Sequence, residues 1–166
     1  MADTQPQQPS AAEHQPSFQI EKIYVKDLSL EIPGAPQVFT QQTQPQLEVQ
    51  LHTQAGKFGE GLYEASVTAT VTAKAGERTL FLAEAVQAGI FSVRNVPAQE
   101  LDALLGIGCP TILFPYLRET ISDLIGRGGF PPVLLSPVSF EALYMQRLQQ
   151  GQGQVRGDEP RIEVAR

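Results

Sequence analysis

The sequence predicts an α+β domain: a four-stranded antiparallel, Greek-key-like sheet packed on one long helix and one or two shorter helices. Three observations carry this expectation. Between Phe18 and about Val93 apolar and polar residues alternate with period two, as in strands with one buried and one wet face. From Pro97 onward the apolar spacing changes to three and four, the spacing of amphipathic helices. The first two strand patterns are separated by residues 33–45, which hold three prolines and a glycine and are too long for a tight hairpin.

Taken in order, residues 1–16 are mainly Gln, Pro, Ala and Ser and read as a disordered tail, with His14 solvated in it. In the first strand Phe18, Ile20, Tyr24, Leu28, Leu30 and Ile32 share one parity, and Gln19, Glu21, Asp27, Ser29 and Glu31 the other. Asp27 and Glu31 therefore point to one side, roughly 13 Å apart. Residues 33–45 form no regular element, with Val38 and Phe39 turned inward. Leu47, Val49 and Leu51 mark the second strand, which leaves His52 on its polar face. Residues 54–61 read as a Gly-rich loop without the Lys-Ser/Thr end of a phosphate loop. Tyr63, Ala65, Val67, Ala69, Val71 and Ala73 are the inner face of the third strand, and they are small enough for a helix to approach closely. After a turn at 75–77 the fourth strand has Phe81, Ala83 and Ala85 on one parity, and Leu80, Leu82, Glu84 and Val86 on the other, outer one.

Pro97 to Leu105 reads as a short helix ended by Gly106 and Gly108. Leu113, Leu117, Ile121, Leu124 and Ile125 then form the stripe of the long helix, opposite Arg118, Glu119, Ser122 and Asp123. Pro115 fits only its first turn without a kink. Gly128-Gly129-Phe130-Pro131-Pro132 is a rigid turn, 133–138 is extended, and Phe140, Leu143, Tyr144 and Leu148 open a last helix. The domain spans residues 17–149, and residues 150–166 read as a second disordered tail.

Composition narrows the function classes. The 166 residues suit one domain, and 42% hydrophobic residues can build its core. A net charge of −6 without a run of Lys or Arg argues against nucleic acid as a partner. The single cysteine, Cys109, excludes an intrachain disulfide and favours a reducing compartment; a buried thiol is its expected state. The first residues do not resemble a signal peptide, and no apolar stretch is expected to span a membrane, which points to a cytoplasmic protein without direct membrane insertion. The carboxylates are unpaired and the two histidines isolated. No catalytic residue, metal site or cofactor is therefore expected. What stands out is apolar surplus between Cys109 and Tyr144, in irregular Pro- and Gly-framed backbone. Oligomerisation or a groove for extended peptide would use it.

Several strings in this order resemble the SecB protein-export chaperone family. They are Phe18-Gln19-Ile20, Ile23-Tyr24-Val25-Lys26-Asp27, Phe81-Leu82-Ala83-Glu84, Ala88-Gly89-Ile90-Phe91, Cys109-Pro110, Ile112-Leu113-Phe114-Pro115-Tyr116, Arg127-Gly128-Gly129-Phe130-Pro131 and Ser136-Pro137-Val138-Ser139-Phe140. The resemblance implies a cytoplasmic, ATP-independent holdase, a homotetramer built as a dimer of dimers. It would hold unfolded precursor proteins in apolar grooves and deliver them to the SecA motor ATPase. By position it implies SecA binding through Asp27, Glu31, Leu82 and Glu84. It further implies a client groove drawing on Phe39, Phe91, Phe114, Tyr116, Phe130, Leu143 and Tyr144. Where the family commonly has Trp before Gln44-Pro45, this chain has Thr43 and contains no Trp. Two other readings remain open: a SecB-like chaperone dedicated to one partner such as an antitoxin, and a small-molecule enzyme using the groove.

Overall fold

The computed structural model describes residues 15–151 and 161–162, so the expected tails, His14 included, lie almost wholly outside the described residues. Four long antiparallel strands form the sheet: β1 (Ser17–Glu31), β2 (Gln46–Gly59), β3 (Leu62–Ala75) and β4 (Arg78–Arg94). A two-residue strand, β5 (Arg161–Ile162), joins β2 at Val49 and Gln50 and gives the order β1-β4-β3-β2-β5. Thus β2, β3 and β4 form a meander, and β1 returns beside β4 as in a Greek key. The two hairpin turns each place a glycine at positive φ, Gly61 at 66° and Gly76 at 62°.

Helices α1 (Ala98–Ala103) and α2 (Cys109–Arg127) are joined by a π-helical turn, Leu104–Gly108, and α3 spans Phe140–Gly151. Leu113, Leu117, Ile121 and Ile125 of α2 are fully buried, against β3 and β4. The facing residues Ala65, Val67, Ala69, Val71 and Ala73 are also fully buried. Their small side chains allow the helix to settle close to the backbone of the sheet. Among the described residues one buried side-chain amide bridges these layers. Gln87 Nε2 donates to the Tyr24 carbonyl at 3.0 Å, and Thr120 Oγ1 donates to Gln87 Oε1 at 3.3 Å.

Five sequence expectations are corrected. The segment 54–61 is not a loop, because β2 continues to Gly59 and the turn is confined to Glu60 and Gly61. Gly106 and Gly108 do not end a helix: helical backbone runs from Ala98 to Arg127, and the π turn absorbs the register change ahead of Pro110, which has no N–H to donate. Gly106 is there for space, since a Cβ would lie 2.7 Å from the Tyr144 ring of α3. Pro115 lies inside α2 rather than in its first turn. The merged helix is long and apolar enough to cross a membrane by length and composition, contrary to expectation, yet its apolar stripe is spent on the sheet. Finally, residues 33–45 contain a 3₁₀ turn at Gln37–Thr40, with Val38 buried but Phe39 half exposed.

Strand parity was also broken by bulges. Register shifts at Glu21 and Lys26 move Tyr24 to the face opposite α2 and bring Ile23 and Val25 to the helix side. A third shift, beside Ala73 and Lys74, lets Leu80 enter the core although it shares parity with Leu82.

Cys109 is buried at the start of α2, as the sequence suggested, and burial pushes its thiol pKa up to about 12. The neutral thiol is therefore the native form. Because the folded pKa lies above the unfolded value near 9, this residue favours folding below pH 9 and withdraws that contribution as pH rises toward 12. Iodoacetamide at pH 8 should leave Cys109 unmodified in the native protein and alkylate it in urea, as read by intact mass.

Candidate functional site

The register of the four long strands assembles the face turned away from α2. Glu48, Thr72, Leu82 and Glu31 form one cross-strand row. Gln50, Thr70, Glu84 and Ser29 form the next, and His52, Thr68, Val86 and Asp27 the third. Paired residues in adjacent antiparallel strands project to the same side, so Asp27, Glu31, Leu82 and Glu84 occupy one patch, within two rows of each other. Asp27 and Glu31 are exposed, and Leu82 and Glu84 half-buried. His52 is exposed at the far end of the third row.

Hydrogen bonds order this face. Thr70 Oγ1 donates to Glu84 Oε2 at 2.8 Å. Asp27 Oδ1 accepts the backbone N–H of Leu28 at 2.9 Å. In the adjoining rows Lys26 pairs with Glu64, and the hydrogen bond to that carboxylate pushes the lysine pKa up. Tyr24 is pushed up as well, first by burial and then by Glu64. The pairing engages Lys26, the neighbour of Asp27 in sequence, and leaves the patch itself acidic around an apolar Leu82.

The seven residues expected to line a groove do not share one surface. Phe91 and Phe114 are buried, stacked on Phe18 at 5.5 Å and set edge-on to Phe140 at 5.6 Å respectively. Phe39 and Phe130 meet at 5.3 Å, and Phe81 anchors Phe130 from the core at 4.7 Å. Tyr144 donates a hydrogen bond to Asp102 and lies against Gly106, holding α3 on the π turn with Leu143 half-buried beside it. Tyr116 stands exposed on α2. A cleft of about 660 Å³ lies on α2 between Pro115, Arg118, Ser122, Gly126 and Leu134, away from the expected groove residues.

Sequence reading missed two features. One is the apolar side of the β1 edge, where Ile20, Val25 and Leu28 are 48%, 46% and 45% exposed. Parity had placed Ile20 and Leu28 together on the buried face; the bulges bring Val25 to the same side, and all three are left exposed. The other is Thr70, whose period-two position gives its face but not its hydrogen bond. Among the described residues, no group of three or more His, Cys, Asp or Glu could hold a metal.

With this geometry in view, comparison with known proteins is informative. The family described as preprotein translocase subunit SecB matches residues 11–151. The protein-export protein SecB of Chromobacterium violaceum is 57% identical over 138 residues, covering 83% of this chain and 92% of the relative. That of Methylobacillus flagellatus is 57% identical over 144 residues, covering 87% and 92%. Among solved structures, a SecB-like chaperone of Mycobacterium tuberculosis in complex with an antitoxin peptide superposes with a TM-score of 0.61. It is 19% identical and covers 74% of this chain and 91% of its own, a likeness of fold. The α+β sheet-and-helix architecture, the strings from Phe18 to Phe140 and the matched span agree: this chain belongs to the SecB family of protein-export chaperones.

Proposed function

We propose that this protein is an ATP-independent cytoplasmic holdase that keeps precursor proteins unfolded and passes them to the SecA motor. The observation that carries this reading is the set of large apolar side chains left exposed in a SecB-family fold. Phe39 and Tyr116 are each 50% exposed, and Leu134, Met145 and Leu148 are at least as open. An unfolded segment that covers such side chains gains roughly 25 cal/mol per Å² of apolar area, much of it offset by ordering. Individual contacts are then weak and tolerant of sequence, and a long client gains affinity by reaching several at once. Phe39, Phe130, Leu143 and Tyr144, with Tyr116, are the client-contact residues; Phe91 and Phe114 are buried in the core and take no direct part. No step of this holding action calls for a nucleotide or a catalytic group.

Client capture without ATP is tested by refolding a denatured precursor at a temperature where it aggregates. Light scattering should fall as purified protein is added; unchanged scattering at equimolar chaperone refutes the holdase reading.

Multivalency needs several subunits, and β1 supplies a reason to associate: it ends the sheet, and its Ile20, Val25 and Leu28 remain exposed. A homotetramer, a dimer of dimers, is the assembly we infer. Native mass spectrometry should give about four times the 18.1 kDa chain mass, and a persistent monomer at micromolar concentration would overturn it.

The acidic patch of Asp27, Glu31 and Glu84 around Leu82 is the SecA-docking face in this proposal. Exposed ion pairs contribute only about 0–1 kcal/mol each, so charge acts mainly through encounter rate and specificity. Reversing Asp27 and Glu84 together to Lys should weaken SecA binding roughly tenfold at low salt, less at high salt, and spare client binding. Equal loss of both activities would show misfolding instead. The peptide-bound mycobacterial neighbour motivates a second reading, a chaperone dedicated to one small partner, which predicts one dominant copurifying protein in place of many precursors.

A further inference from the structure

The hydrogen bond between Thr70 and Glu84 crosses from β3 to β4 on the face opposite α2, between residues that stand directly opposite in register. Its donor is a neutral hydroxyl, so this contact brings no cation to the carboxylate. The neighbouring Lys26–Glu64 contact is different, since there a cation offsets the acid. Among the described residues Glu84 has no further hydrogen-bond or ion-pair partner, which leaves Oε1 open to a ligand. Thr70 is itself well fixed. It is β-branched, half-buried, and flanked along β3 by Thr68 and Thr72 on the same face.

A free glutamate side chain samples several rotamers, and a partner that needs one of them must offset the cost of ordering it. We propose that Thr70 is a positioning residue for docking: it holds Glu84 so that its open carboxylate oxygen stands ready beside Leu82 for a cationic side chain of the partner. This deepens the SecA-docking assignment above and rests on it. The same row carries Gln50 and Ser29 on the flanking strands, both too short in charge to replace Glu84 as the acceptor.

The test uses the full-length protein and purified SecA, titrated calorimetrically at low and high salt. Thr70→Val, close in shape but without the donor, should weaken binding roughly three- to tenfold, the effect of one hydrogen bond to a charged group discounted for exposure. Thr70→Ser should restore most of the affinity. Glu84→Gln should weaken binding by itself, and adding Thr70→Val to it should cost little more, because the two residues act through one contact. Thermal midpoint and suppression of client aggregation should be unchanged in all four proteins. If Glu84→Gln weakens binding and Thr70→Val does not, or if the Thr70→Val loss is undiminished beside Glu84→Gln, the positioning role is overturned. If Glu84→Gln itself leaves affinity unchanged, the docking assignment fails and the positioning role fails with it.

Discussion

The structure depends on how closely α2 can approach the sheet. Leu113, Leu117, Ile121 and Ile125 need a surface without large side chains, and the alanines of β3 and β4 provide it. Ala65, Ala69, Ala73, Ala83 and Ala85 are all fully buried. Close packing of this kind tolerates little change in volume, because the interior has no slack to absorb an added methylene. Burial of Cys109 and the bridging of the layers by Gln87 follow from the same approach.

Because one helix satisfies one face, the remainder of the sheet is left for other uses. The outer face carries no helix among the described residues and presents threonines, acids and a half-buried leucine. The β1 edge lies beyond the reach of most of α2, so Ile20, Val25 and Leu28 on its helix side stay exposed. Beyond α2 the aromatic residues divide. Some complete the core and others remain at the surface in backbone shaped by glycine and proline. A small domain with such a division offers two chemically unlike surfaces, one acidic and regular and one apolar and irregular. The former suits a defined folded partner, and the latter suits chains without structure.

Much of this was legible in the residue pattern. The alternation in β3 is unbroken, and each of its inner residues is where period two puts it. The stripe of α2 holds for the same reason, since helical spacing over four turns leaves little ambiguity. Asp27 with Glu31, and Leu82 with Glu84, were each placed on one side by parity. That the two pairs meet was not legible, because it depends on β1 lying beside β4. Tyr24 was misplaced because the unpaired residue at Glu21 reverses the parity after it, until a second one at Lys26 restores it. Gly106 looked like a helix stop because glycine usually is one, whereas here the missing side chain makes room for Tyr144.

The amino-acid sequence by itself determined the element types, the inner face of β3, the buried stripe of α2 and the family to which the chain belongs. These rest on local periodicity and on strings of neighbouring residues, which need no knowledge of distant contacts. The tertiary structure decided the strand order, the bulged register of β1, the continuity of the helix through its glycines and the division of aromatics between core and surface. It alone joined Thr70 to Glu84. Each of these is a meeting of residues far apart in the chain, and such meetings are fixed by packing and backbone pairing of the whole, which no local pattern encodes.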